Sequence, residues 1–169
     1  MKLVGRLLTL LAPGLLTLVF ACSSPNEKER VNANVGDRTT FPPVAAALSH
    51  RCGSIDCHGS AYRNFRIYGY GGRRLVVGDQ PDIPDASTGD EANATYDSFV
   101  SLEPEKTRDV LQSRGAGLDD LTVIRKGRNE EDHEGGRLIV RGDDADLCIA
   151  GWLSGAPNPD ACARVVATP

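Results

Sequence analysis

Apolar positions fall into one continuous run near the start of the chain and several short periodic groups after residue 40. Phe41, Val44 or Ala45, Leu48 and Cys52 recur at helical spacing. Pro42-Pro43 sit where a first turn does without amide donors, so a short helix is predicted to lead into Cys52. Tyr96, Phe99 and Val100 share a helical face, and Pro104 to Ser113 reads as a further helix ending before Gly115. Another is predicted from Asp143 to Ser154. Its two leading aspartates suit a helix start, Leu147, Ala150, Trp152 and Leu153 supply apolar surface, and Gly155 suits its end. Phe65–Tyr68 and Arg74–Val77, joined through Gly69-Tyr70-Gly71-Gly72, read as the arms of a β-hairpin. Gly78 to Asn93 holds little apolar material apart from Ile83 and reads as a long surface loop. The resulting fold class is mainly α: a small helical domain with long loops and a β-hairpin insertion.

The 169 residues suit one domain, and 19 Lys plus Arg against 23 Asp plus Glu leave a net charge of −4. With no cationic excess and no basic stripe, nucleic acid is excluded as a partner. Few aromatic residues beside 18 Gly and 10 Pro describe a small core wrapped by turns, which calls for a staple.

The first apolar run, Leu7 to Phe20, follows Lys2 and Arg6 and is broken by Pro13 and Gly14. It is too short to span a hydrocarbon core of about 30 Å as a helix, and it reads as a bacterial secretion signal. It ends in Val19-Phe20-Ala21-Cys22, which resembles the lipobox of bacterial lipoproteins. That resemblance implies a lipoprotein signal peptide over 1–21 and diacylglycerol on Cys22. With Ser23 and not Asp next, it also implies a lipid anchor in the outer membrane, facing the periplasm. The plainer alternative is an ordinary cleaved signal. Residues 22–169 hold 17 cations against 23 anions, a net of −6. Ser23 to Thr40 have almost no large apolar side chain to repay ordering, so 22–40 reads as a flexible tether and 41–169 as the folded domain.

Assigning Cys22 to the lipid leaves Cys52, Cys57, Cys148 and Cys162, an even number that in an oxidising compartment calls for pairing or covalent use. Gly155, Pro157 and Pro159 between Cys148 and Cys162 let the chain turn back, and a disulfide there would tie the C-terminal tail to the last helix. Cys52 and Cys57 belong to Arg51-Cys52-Gly53-Ser54-Ile55-Asp56-Cys57-His58-Gly59. A local disulfide would leave His58 as a turn residue. A zinc site would need a fourth ligand and reduced thiolates, and a dithiol redox site would have the two-residue spacing that is absent here.

The same C-x4-C-H stretch resembles the haem-attachment motif of c-type cytochromes, with a longer spacer than the common two residues. The resemblance implies covalent haem c held by Cys52 and Cys57, with iron on His58, in a cytochrome c-like domain whose first helix crosses the last. Leu121–Gly127 followed by Asp132-His133-Glu134-Gly135-Gly136 looks like the His-Gly-Gly segment before the last helix of some bacterial domains of that kind.

The usual Met ligand is missing, because Met1 is the only methionine, and His50 lies too near Cys52 on the same helix to reach the opposite face. His133 is the candidate second iron ligand. Two imidazoles at about 2 Å would put their nitrogens about 4 Å apart, with a lower potential than Met/His ligation. Otherwise His133 is a solvated loop histidine among acidic neighbours. Arg63, Arg66, Arg73 and Arg74 are either propionate partners or surface cations, and Trp152 is either a haem-edge or a core residue. Two functional readings follow. One is a lipoprotein passing single electrons to a redox partner protein at the envelope, with no catalytic residue of its own. The other is a non-redox envelope lipoprotein stapled by Cys52–Cys57 and Cys148–Cys162 disulfides. A hydrolase reading finds no triad among three histidines.

Overall fold

The computed structural model describes residues 36–76 and 87–168, and these contain six α-helices and no strand. The expected leader over 1–21, Cys22, most of the expected tether, Val77 of the expected hairpin and residues 78–86 of the expected loop lie outside the described residues. Among the described residues no helix is long and apolar enough to cross a membrane.

Helix α1 (Pro42–Cys52) begins at two prolines, whose missing amides cost nothing in a first turn, and buries Val44, Ala45, Ala47, Leu48 and Cys52. Its alanines let neighbouring backbones come close. Helix α2 (Gly89–Val100) starts inside the stretch read as loop, at a capping box. There the Thr88 hydroxyl accepts from the Glu91 amide, and the Glu91 carboxylate accepts from the Thr88 amide. Helix α3 (Pro104–Gln112) matches its expected span within a residue. Helix α4 (Thr122–Gly127) occupies the apolar stretch that precedes His133. Helix α5 (Asp144–Leu153) is capped by the Asp143 side chain, and α6 (Pro159–Ala167) by Asn158.

The expected C-terminal tail is therefore the helix α6, and it packs on both α1 and α5. It buries Ala161, Cys162 and Val165. Cys162 is bonded to Cys148 of α5, as the spacing predicts. In the chain-entropy model a loop of this size stabilises by about 3 kcal/mol. Replacing both cysteines by serine should lower the unfolding free energy by about that amount, measured by urea denaturation. A loss below about 1 kcal/mol would show that helix packing alone holds α6.

The hairpin expected over Phe65–Val77 does not form among the described residues, which hold only an isolated bridge between Tyr68 and Arg73. The reason is local. Gly69 donates to the Arg73 carbonyl and Gly72 to the Gly69 carbonyl, so the chain closes a tight turn instead of extending a ladder. Both flanks are instead held by α2: the Arg66 amide donates to Ser98 Oγ, the Tyr68 amide to Thr95 Oγ1 and the Leu75 amide to the buried Glu91 carboxylate.

The core is aromatic at its centre. Phe41 meets Tyr96, Phe99 and Trp152 at ring-centroid distances of 5.3, 5.6 and 4.9 Å. Trp152 is a core residue, and its indole N–H donates to Thr40 Oγ1 at 3.1 Å. With Gly36 packed under the same indole, residues 36–40 belong to the folded body, which starts before the expected boundary at 41.

Candidate functional site

Helix α1 delivers Cys52, which is buried, to the edge of a cavity of about 480 Å³, within the range of ordinary ligand sites (about 300–1,000 Å³). Leu48, Phe65, Leu102, Val123, Leu138 and Ile139 give it apolar walls, and Cys52, Cys57, His58 and His133 all line it. Residues from separate parts of the chain thus converge on one space.

The segment between the cysteines folds back on itself. Cys57 and Gly59 donate to the Ser54 carbonyl, His58 donates to the Cys52 carbonyl, and Ile67 donates to the His58 carbonyl. This compact lobe depends on three glycines. A Cβ on Gly59 would sit 2.1 Å from the Gly53 carbonyl oxygen, and one on Gly72 only 1.8 Å from it. No side chain fits at either point, so the Gly72 turn is locked against the cysteine loop.

His58 Nδ1 lies 2.9 Å from the Phe65 carbonyl oxygen, and His133 Nδ1 lies 3.0 Å from that of Gly136. A carbonyl only accepts, so each ring carries its proton on Nδ1 and, when neutral, keeps its lone pair on Nε2. The two rings stand 6.1 Å apart between centroids, with planes inclined by 20°. Burial lowers the His58 pKa, and the nearby His133 and Arg63 push it the same way, against the raising effect of the Phe65 carbonyl. The neutral, ligating form is thereby favoured.

His133 is carried on the chain that follows α4. The Lys126 ammonium donates to the Asp132 carbonyl, Gly136 donates to the His133 carbonyl, and Leu138 and Ile139 both donate to that of Gly127. A Cβ on Gly135 would come within 3.0 Å of the His133 ring, so glycine lets the backbone lie against the imidazole.

Cys52 and Cys57 are free thiols and do not form the local bridge of the alternative reading. Burial pushes the Cys52 thiol up to about 12, the neighbouring Cys57 adds to the rise, and Arg51 opposes it. In the cofactor-free chain a thiol so placed stays protonated at neutral pH. Among the described residues no group of three or more His, Cys, Asp or Glu gathers as a bare metal ion requires. In the cofactor-free chain, an alkylating reagent at neutral pH should modify half-buried Cys57 more than about tenfold faster than Cys52, read by peptide mass mapping. Equal rates would mean that the lobe opens freely.

The other candidates separate. His50 stacks on Tyr70 at 4.0 Å, away from the cavity lining. Of the four arginines, Arg63 lines the cavity and pairs with Glu134 at 3.4 Å. Arg74 is held by buried Glu91, and Arg66 and Arg73 are exposed beyond the lining. The cavity's aromatic wall is Phe65, against His58 at 4.9 Å, and not Trp152. Comparison with protein-family models, with curated proteins and with solved structures finds no match for this chain.

Proposed function

We propose that the protein is a c-type haem-binding lipoprotein that carries single electrons at the cell envelope. The observation that carries this reading is the convergence of two unbridged thiols and two Nδ1-anchored imidazoles, 6.1 Å apart, on one apolar cavity. The donor set suits haem, because a porphyrin brings most of its iron's ligands itself and would ask the chain only for imidazoles and two thiols. Cys52 and Cys57 would add their S–H bonds across the two vinyl groups, forming thioethers with no leaving group and no net oxidation. His58 and His133 would hold the iron. The bound group supplies a reversible one-electron couple.

The chain's own residues set the terms of that couple. The Phe65 and Gly136 carbonyls polarise their imidazoles and raise ligand basicity, which favours the more charged oxidised state. The apolar walls exclude water. Cys22 would hold the domain to the outer membrane, facing the periplasm, where a redox partner protein exchanges electrons with it.

The test is the His133→Ala variant matured in cells with haem-attachment machinery. Its visible spectrum should change from that of a six-coordinate two-imidazole protein, and its potential should rise, read by potentiometric titration with a one-electron slope. An unchanged spectrum and potential would remove His133 from the iron and leave it a loop residue.

A further inference from the structure

We propose that the buried pair Arg128–Asp146 positions His133 opposite His58 and so sets how firmly the second imidazole is held, an inference that rests on the haem reading above. The segment that carries His133 leaves α4 at Arg128 and returns at Gly142, just before α5. Both ends meet one carboxylate. Asp146 Oδ1 accepts from Arg128 Nε at 2.9 Å and from Nη2 of the same guanidinium, while Oδ2 accepts from the Gly142 amide at 2.8 Å. The Arg128 and Asp146 side chains are only 4% and 9% exposed, and Arg128 Nη1 reaches on to Asp119. The loop 129–141 is thus closed at its base by a planar fork of donors, which the point charge of a lysine cannot reproduce.

From that base, backbone bonds lead to the imidazole. The Gly127 carbonyl, next to Arg128, accepts from the Leu138 and Ile139 amides, and the buried Ile139 side chain packs on Gly127. Two residues before Leu138, the Gly136 carbonyl holds His133 Nδ1, and the Gly136 amide donates to the His133 carbonyl. The two histidine-bearing segments also meet through Arg63 and Glu134, but these side chains are 48% and 89% exposed, and a pair so wet contributes little. Losing one partner of a buried pair instead leaves an uncompensated charge inside, so that arrangement has no low-energy alternative. Placement of His133 therefore falls to Arg128 and Asp146.

Asp146→Asn and Arg128→Lys test the assignment, the second keeping the buried cation should the first fail to fold. Matured with haem and reduced, each variant should admit carbon monoxide, a competitor for the His133 position, more than about tenfold faster than the parent. Added imidazole should restore the parent visible spectrum. In the full chain produced without haem, amide hydrogen exchange at Gly136, Leu138 and Ile139 should rise more than about tenfold while that of α1 holds. The control is the Cys148→Ser, Cys162→Ser variant, which loosens α6 through a bond outside the loop and should keep the carbon monoxide rate within about twofold of the parent. Parent rates of carbon monoxide entry or of loop exchange in the pair variants would overturn the assignment. So would equal acceleration in the serine variant, which would reduce the pair to general stability. A colourless parent would remove the haem reading alone, because the exchange map needs no cofactor and still decides whether the pair holds the His133 segment.

Discussion

Gly72→Ala is expected to lower the thermal midpoint by about 10 °C or more and to displace the cysteine lobe. The added methyl would sit 1.8 Å from the Gly53 carbonyl oxygen and 3.1 Å from the Gly59 Cα, and all the atoms it meets are backbone. Backbone cannot turn aside as a flexible side chain can, so the overpacking cost is about 3 kcal/mol or more. Gly89→Ala is the matched control. Its Cβ meets nothing within 4 Å in the first turn of α2, and it should change stability by less than about 1 kcal/mol. A thermal melt of both variants checks the pair. Equal midpoints would mean that the close packing of Gly53, Gly59 and Gly72 does not constrain the lobe.

His58→Ala is expected to have the larger effect on the cofactor. Loss of a group that merely orients a metal ligand costs about 10–100-fold in metal affinity, and loss of the ligand itself exceeds that. Haem content per chain should therefore fall more than about tenfold, measured by absorbance against protein mass. The fold should survive, because His58 is only part-buried and its amide bond to the Cys52 carbonyl does not need the side chain. Full haem content in this variant would move the proximal ligand elsewhere.

How far the chain could be read varied from element to element. Helices α1, α3 and α5 were legible because proline or aspartate marks each start and apolar residues repeat at helical spacing. The start of α2 was also written in the sequence, as Thr88 and Glu91 three residues apart, but Gly89 and the Asp-rich surroundings suggest loop. Helix α6 was obscured by Pro157 and Pro159, which signal a turn and, at the second of them, also the first position of a helix. The hairpin failed because β-type residues flanking glycines look alike whether they pair with each other or are held singly by a neighbouring helix. Ser98, Thr95 and Glu91 of α2 take the amides that a ladder would have used.

At the site, the Cys–Cys–His spacing pointed to Cys52, Cys57 and His58, the glycine-rich segment after α4 pointed to His133, and all four line one cavity. What spacing could not give is the polar support: the Phe65 and Gly136 carbonyls are backbone groups and leave no mark in the sequence. Nor could it show that Gly59 and Gly72 meet over Gly53, since that contact joins two turns through their lack of side chains.

The most direct measurement is acid-acetone extraction of the full protein purified from cells competent for haem attachment, followed by absorption spectroscopy and mass determination. The expected result is a Soret band that stays with the polypeptide, with a mass greater than the chain by one haem and Cys52 and Cys57 both blocked to alkylation. A colourless chain of unmodified mass, or colour that passes wholly into the solvent, would contradict covalent haem and leave a helical domain stapled by the Cys148–Cys162 disulfide.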